Sequence, residues 1–108
     1  MNFGLKGSDI HKICAVFARY PQVDRVVIYG SRAKGVHRNG SDIDLTLHGG
    51  PDLTLTMLLR IMQDLDDLLL PYTIDLSVFR DIKDTDVLDH IRRVGVTFYR
   101  KKIGEVIR

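Results

Sequence analysis

Two short runs, SDIDLTL (residues 41–47) and TIDLSVF (residues 73–79), constrain the fold more than any other feature of the chain. Apolar and polar residues alternate in both, the period of a strand with one face in a core and the other open. Ile43, Leu45 and Leu47 share one face, and Asp42, Asp44, Thr46 and His48 share the other. In the second run Ile74, Leu76 and Val78 oppose Thr73, Asp75 and Ser77. Aspartate is depleted in strands, yet Asp42, Asp44 and Asp75 all occupy the polar face. A third run, DRVVIYG, is β-branched and aromatic and stops at Gly30, which predicts a buried strand.

Helical periods separate these strands. Ser8 is a candidate N-cap for a helix in which Ile10, Ile13, Cys14 and Phe17 share a face, ending before Pro21. After Gly49-Gly50-Pro51, Asp52 is the expected cap of a long helix with Leu55, Leu58, Leu59, Met62, Leu65 and Leu69 at helical spacing, closed by Pro71. Asp84 or Thr85 caps a last helix with Val87, Leu88, Ile91 and Val94 on one side and Gly95 at its stop. VTFYR can add an edge strand. The order predicts a small mixed α/β or α+β sheet with helices packed on one face. At 108 residues the chain is read as a single domain, 1–108.

Composition narrows the class. A net charge of +2 is too small to argue for direct nucleic-acid or membrane binding. Cys14 is the only cysteine, which excludes an internal disulfide and leaves a Cys-His metal site without support. There is no basic segment followed by an apolar one at the N-terminus, and no apolar run of membrane-spanning length, so a cytoplasmic location is expected.

Asp42 and Asp44 have Cα atoms about 6.6 Å apart on one strand face, and Asp75 has the same parity on its own strand. If the two strands are neighbours, three carboxylates converge, and each pair at ~5 Å costs about 3 kcal/mol at an effective dielectric of ~20. A hard divalent cation removes that cost, and oxygen-only ligands suit magnesium with open positions for substrate phosphates. The alternative is that the three are solvated residues on a wet sheet face. Upstream, Gly30 ends a strand and Ser31 opens a turn or helix, where backbone amides and a hydroxyl can meet a polyphosphate. Gly30 lets the backbone approach such a ligand without a Cβ in the way.

The whole stretch GSRAKGVHRNGSDIDL resembles the Gly-Ser, ten-residue spacer, Asp-x-Asp signature of the DNA polymerase β-like nucleotidyltransferase superfamily. It is most similar to the minimal single-domain prokaryotic members, the MNT proteins. The resemblance implies the polymerase β-like fold, with Gly30 and Ser31 at a helix start, Asp42 and Asp44 holding two Mg²⁺ ions, and Asp75 completing the set from a neighbouring strand. It implies an enzyme that moves a nucleoside monophosphate, AMP from ATP, onto a hydroxyl and releases pyrophosphate. Larger members add a domain for the acceptor, so a partner protein is expected to supply it here. Minimal members pair with HEPN-type toxins, and some are similar to antitoxins that transfer AMP onto the toxin's tyrosine. Neutralisation by binding alone, or action on a small molecule, are the competing readings.

Further residues are open in role. Arg32, Lys34, His37 and Arg38 sit in a basic turn that can contact triphosphate or simply be solvated, with Arg32 counted among the nucleotide-binding candidates. Ser41 can bond phosphate or cap the turn. His48 shares the aspartate face roughly 13 Å along the strand from Asp44 and reads as a surface histidine. His11 and His90 carry no ligand spacing, and Asp64, Asp66 and Asp67 read as the wet face of the long helix. YRKKI reads as a solvated tail. Leu53, Leu68 and Leu70 are the expected exposed apolar patch for a helical partner.

Overall fold

The computed structural model describes residues 2–102. Its elements run α1 (Gly7–Ala18), β1 (Val23–Tyr29), α2 (Gly30–Lys34), β2 (Ile43–Gly49), α3 (Leu55–Asp66), β3 (Ile74–Val78), a 3-10 turn (Phe79–Asp81), α4 (Thr85–Val94) and β4 (Val96–Arg100). The strands form one mixed sheet in the order β3-β2-β1-β4, with β1 antiparallel to β2 and β4, and β2 parallel to β3. The mixed sheet with flanking helices is the α/β class expected, and VTFYR is indeed an edge strand, but the helices are not confined to one face, since α4 covers the second. Tyr99 and Arg100 therefore belong to the sheet, whereas Ile103 lies outside the described residues.

The strand parity holds: Ile43, Leu45 and Leu47 are wholly buried in one apolar cluster with Val26 and Ile28 of β1 and Leu76 and Val78 of β3. Ile13, Val16 and Phe17 of α1, and Ile61 and Leu65 of α3, close that cluster from one side. Cys14 is packed against it and its thiol donates to the Phe98 carbonyl at 3.6 Å, with burial pushing the thiol pKa up. Thr46, on the other face, is also fully buried, because Ser77 Oγ donates to its hydroxyl at 3.0 Å and covers it. On that face Val27 of β1 and Ile91 of α4 are buried outside the main cluster, so α4 lies across the polar face, with its N-terminal half near the aspartates. Gly95 marks the end of α4 for lack of space: its φ of −63° is ordinary, but a Cβ there would lie 2.8 Å from Val27 Cγ1 and inside the Ile91 carbonyl.

Two of the three helix caps depart from expectation. Helix α1 begins at Gly7 after Lys6, which makes no side-chain cap, so Ser8 is inside the helix. Thr54, not Asp52, caps α3, accepting from the Met57 amide at 3.3 Å. Asp84 caps α4 as expected, accepting from the Asp86 amide at 2.9 Å.

The apolar patch is also corrected. Leu53 is 0% exposed, and Leu68 and Leu70 are half-buried against the core. The exposed residues are Leu55 at 69%, Leu59 at 55%, Met62 and Leu69, all from the predicted buried stripe. The helix is rotated so that Ile61 and Leu65 face the sheet, which turns Leu55, Leu59 and Met62 outward along one edge. None of the described helices is long and apolar enough to cross a membrane.

Candidate active site

Residues Asp44 and Asp75 are Cα partners in the parallel β2–β3 ladder, so the two carboxylates stand on adjacent strands about 4.8 Å apart at the backbone. Asp42 is exposed and lies one residue ahead of β2. Burial pushes the Asp44 carboxyl above its ordinary range, Asp75 and then Asp42 push it further, and His90 opposes the rise. The two flanking aspartates are therefore within electrostatic reach of Asp44.

The glycine-serine turn closes against the same carboxylate. Strand β1 ends at Tyr29 and α2 starts directly with Gly30, whose φ of +76° lies in the left-handed region that favours glycine. A Cβ on Gly30 would collide with Asp44 Oδ2, so the missing side chain is what allows Asp44 to pack on the turn. Gly30 N–H donates to His90 Nε2 at 3.2 Å, and Ser31 is half-exposed beside it.

These groups border a cleft of about 430 Å³. Tyr29, Gly30, Asp44 and Asp75 form its sheet side, and Asp86, Val87 and His90 of α4 form the opposite wall. The His90 ring meets Tyr29 edge-on, with centroids 6.2 Å apart. Burial pushes the Tyr29 phenol up, the Ser77 hydroxyl pulls it down, and the Asp44 and Asp75 charges raise it again. The structure thus brings Gly30, Asp44 and Asp75 to one cleft, whereas Ser31 and Asp42 lie outside its lining and Asp42 is felt there through its charge on Asp44.

It does not bring Arg32 there, which corrects the expectation of a nucleotide-binding arginine in an exposed turn. Arg32 is 3% exposed. Its Nε and Nη2 donate to the Ser41 carbonyl at 3.0 and 2.9 Å, Nη1 donates to the Phe3 carbonyl at 3.0 Å, and the guanidinium lies 5.4 Å from the Tyr72 ring centroid. Every face of the group is occupied within the fold. Ser41 Oγ accepts from the Arg38 amide at 2.8 Å, closing the turn ahead of β2. Lys34 and Arg38 are exposed, and His37 packs over Gly4. His48 is half-buried and stacked on Phe79 at 4.5 Å, and burial followed by the Arg25 charge lowers its pKa. The residues that the sequence reading missed are Tyr29, Asp86, Val87 and His90. Their only sequence signal is position: the last strand residue before Gly30, and an i, i+1, i+4 set on α4.

The donor set contains only carboxylate oxygens, the chemistry of a hard divalent cation rather than zinc. Among the described residues, no three His, Cys, Asp or Glu side chains already converge closely enough to hold an ion. The like-charge crowding at Asp44 is nonetheless the electrostatic condition that a bound cation relieves, and the residues fit such an ion in kind.

A family model described as polymerase beta nucleotidyltransferase matches residues 11–103. No curated protein sequence matches. Among solved structures, one described as a minimal nucleotidyltransferase is 24% identical, with 89% of this chain and 95% of that chain covered and a TM-score of 0.68. A toxin-antitoxin structure with AMP-PNP is 20% identical over 91% of this chain and 76% of that chain, with a TM-score of 0.67. A tri-AMPylated Shewanella oneidensis HEPN toxin in complex with MNT antitoxin is 17% identical over 90% of this chain and 74% of that chain, with a TM-score of 0.64. At these identities the solved structures establish the likeness of fold, and the family match covers most of the sequence. The chain belongs to the polymerase beta nucleotidyltransferase family.

Proposed function

We propose that the chain transfers AMP from ATP onto a hydroxyl of a protein partner, a tyrosine of a HEPN-type toxin, and acts in this way as its antitoxin. One observation carries the reading: Asp44 and Asp75 stand in register on adjacent strands, and the Gly30–Ser31 turn packs directly on Asp44. Carboxylates and phosphate turn are therefore within one ligand's length of each other, the arrangement a triphosphate needs. The TM-score of 0.67 to a toxin-antitoxin structure with AMP-PNP, and of 0.64 to an MNT antitoxin complex with an AMPylated toxin, support the nucleotide and partner classes.

In this reading Ser31 and the turn backbone hold the terminal phosphates. Asp42, Asp44 and Asp75 would hold two magnesium ions, which when bound neutralise the triphosphate and stabilise the attacking and leaving oxygens. Asp75 lies exposed on edge strand β3, where an acceptor can reach it. Its carboxylate takes the proton as the acceptor oxygen bonds to the α-phosphorus. The bond from that phosphorus to the α,β-bridging oxygen breaks, and pyrophosphate leaves. Positioning and charge neutralisation carry the rate. The outward row Leu55, Leu59 and Met62 on α3 offers an apolar surface for the partner.

The test is co-expression with the adjacent gene's product, followed by intact-mass measurement and incubation with ATP labelled at the α or the γ phosphate. AMP addition and α-label transfer that require Mg²⁺ are expected. Transfer of γ-label would make the protein a kinase and overturn the reading. Neutralisation of the toxin without any mass change would leave binding alone as the mechanism.

A further inference from the structure

His90 comes from α4, sixty positions along the chain from the turn it touches, and the reaction proposed above gives it no task. Its Nε2 accepts the Gly30 N–H at 3.2 Å. The same ring leans edge-on against Tyr29, the residue before Gly30. On its other side Gly30 meets Asp44 Oδ2 where a Cβ would otherwise be. The Tyr29–Gly30 peptide is thus held between a helix on one side and a cleft carboxylate on the other. A glycine at φ +76° has wide conformational freedom unless something restrains it. Here the restraint is the imidazole.

We propose that His90 is a positioning residue of the nucleotide site: its Nε2 anchors the Gly30 amide and thereby fixes where Ser31 and Asp44 stand toward the triphosphate. The Gly30 N–H is then engaged by the protein itself, and the phosphate contacts of the turn fall to the Ser31 amide and hydroxyl. Helix α4 becomes part of the nucleotide-binding framework as well as the wall of the cleft. This inference rests on the nucleotide reading above, and its test separates the two.

The experiment compares wild type, His90→Ala and His90→Gln in the full chain. Glutamine places an amide oxygen near the position of Nε2 and can accept the same N–H. Two quantities are read: exchange of the Gly30 amide by NMR without nucleotide, and the Kd for ATP with Mg²⁺ by titration calorimetry. We expect the Gly30 amide to be protected in wild type, to exchange freely in His90→Ala and to regain protection in His90→Gln. The Kd should weaken about three- to tenfold in His90→Ala, the loss of one ordinary hydrogen bond, and recover in His90→Gln. Unchanged Gly30 protection in His90→Ala overturns the anchor. Tighter ATP binding by His90→Ala would mean that the ring competes with phosphate, and equal weakening in both variants would mean that the ring's packing matters and its acceptor does not. Either result refutes the proposal. A wild-type chain with a protected Gly30 amide that binds no ATP refutes the nucleotide reading instead.

Discussion

Replacing Asp44 by Asn separates a metal and nucleotide site from an ordinary wet strand face. The side chain keeps its shape and loses its charge. Asp75 is its in-register neighbour, and at ~5 Å two carboxylates repel by about 0.8 kcal/mol at the dielectric of water and about 3.3 kcal/mol at an effective value of 20. Asp44 is only half-buried, so solvent screening places the repulsion near the lower bound, about 1 kcal/mol. The ligand-free variant should melt higher than wild type by about 4–8 °C, the shift such a change produces in a domain of this size. The sign has a pH signature. Burial, Asp75 and Asp42 raise the folded-state pKa of Asp44 above its ordinary value of 3.8. The stabilising protonation is therefore complete below that value and is lost as pH rises through the folded-state pKa. The advantage of the Asn variant should be full near neutrality and vanish in strong acid. Ligand reverses the order. Mg²⁺ with ATP at a hundredfold excess over its Kd should stabilise wild type by ~2.7 kcal/mol and leave the variant unmoved. Transfer activity should fall by at least ~10²–10³. Thermal melts of both proteins, with and without ligand and across pH, give all of these values. A ligand-free variant no more stable than wild type refutes the crowding, and an equal ligand shift in both proteins refutes the site.

Gly30→Ala should abolish transfer while costing only about 1–2 kcal/mol in a chemical melt, because the left-handed backbone penalty is small and the colliding atom is the movable end of Asp44. Activity close to wild type would show that Asp44 does not need its seat on the turn. Leu53→Ala should cost about 2–5 kcal/mol, whereas Leu59→Gln should stay within about 0.5 kcal/mol, since the first is fully buried and the second 55% exposed. Equal losses in the two urea melts would contradict the observed burial of Leu53 and exposure of Leu59.

The carboxylate pattern was legible because a strand has a period of two, and a residue's face follows from counting alone. Asp44 and Asp75 could be placed on one face from their neighbours, and only the adjacency of β2 and β3 required the structure. Helix α3 was less readable. Its apolar residues at 55, 57, 58, 59, 61, 62 and 65 support two overlapping stripes, and packing on the sheet, not periodicity, selects the one centred on Ile61 and Leu65. The caps of α1 and α3 were unreadable for a related reason: Ser8, Asp52 and Thr54 are all competent acceptors, and the path of the loop decides which amide each can reach. Arg32 and His90 were beyond reading, because their partners are backbone groups of Phe3, Ser41 and Gly30. A carbonyl or an amide leaves no mark in the residue types.

Buried Arg32 also limits how the chain can vary. One planar group donates to the Phe3 carbonyl and to the loop that delivers Asp42, so those two backbone segments share a single rigid fastening. Lysine has one point of charge and no fork, and it could not face both carbonyls while lying against Tyr72. Losing the Phe3 carbonyl would leave one N–H of a buried cation without its acceptor, and the disturbance would surface at the turn ahead of β2. The segment around Phe3 is therefore coupled through one side chain to the turn ahead of β2, and a change at either is expected to be felt at the other.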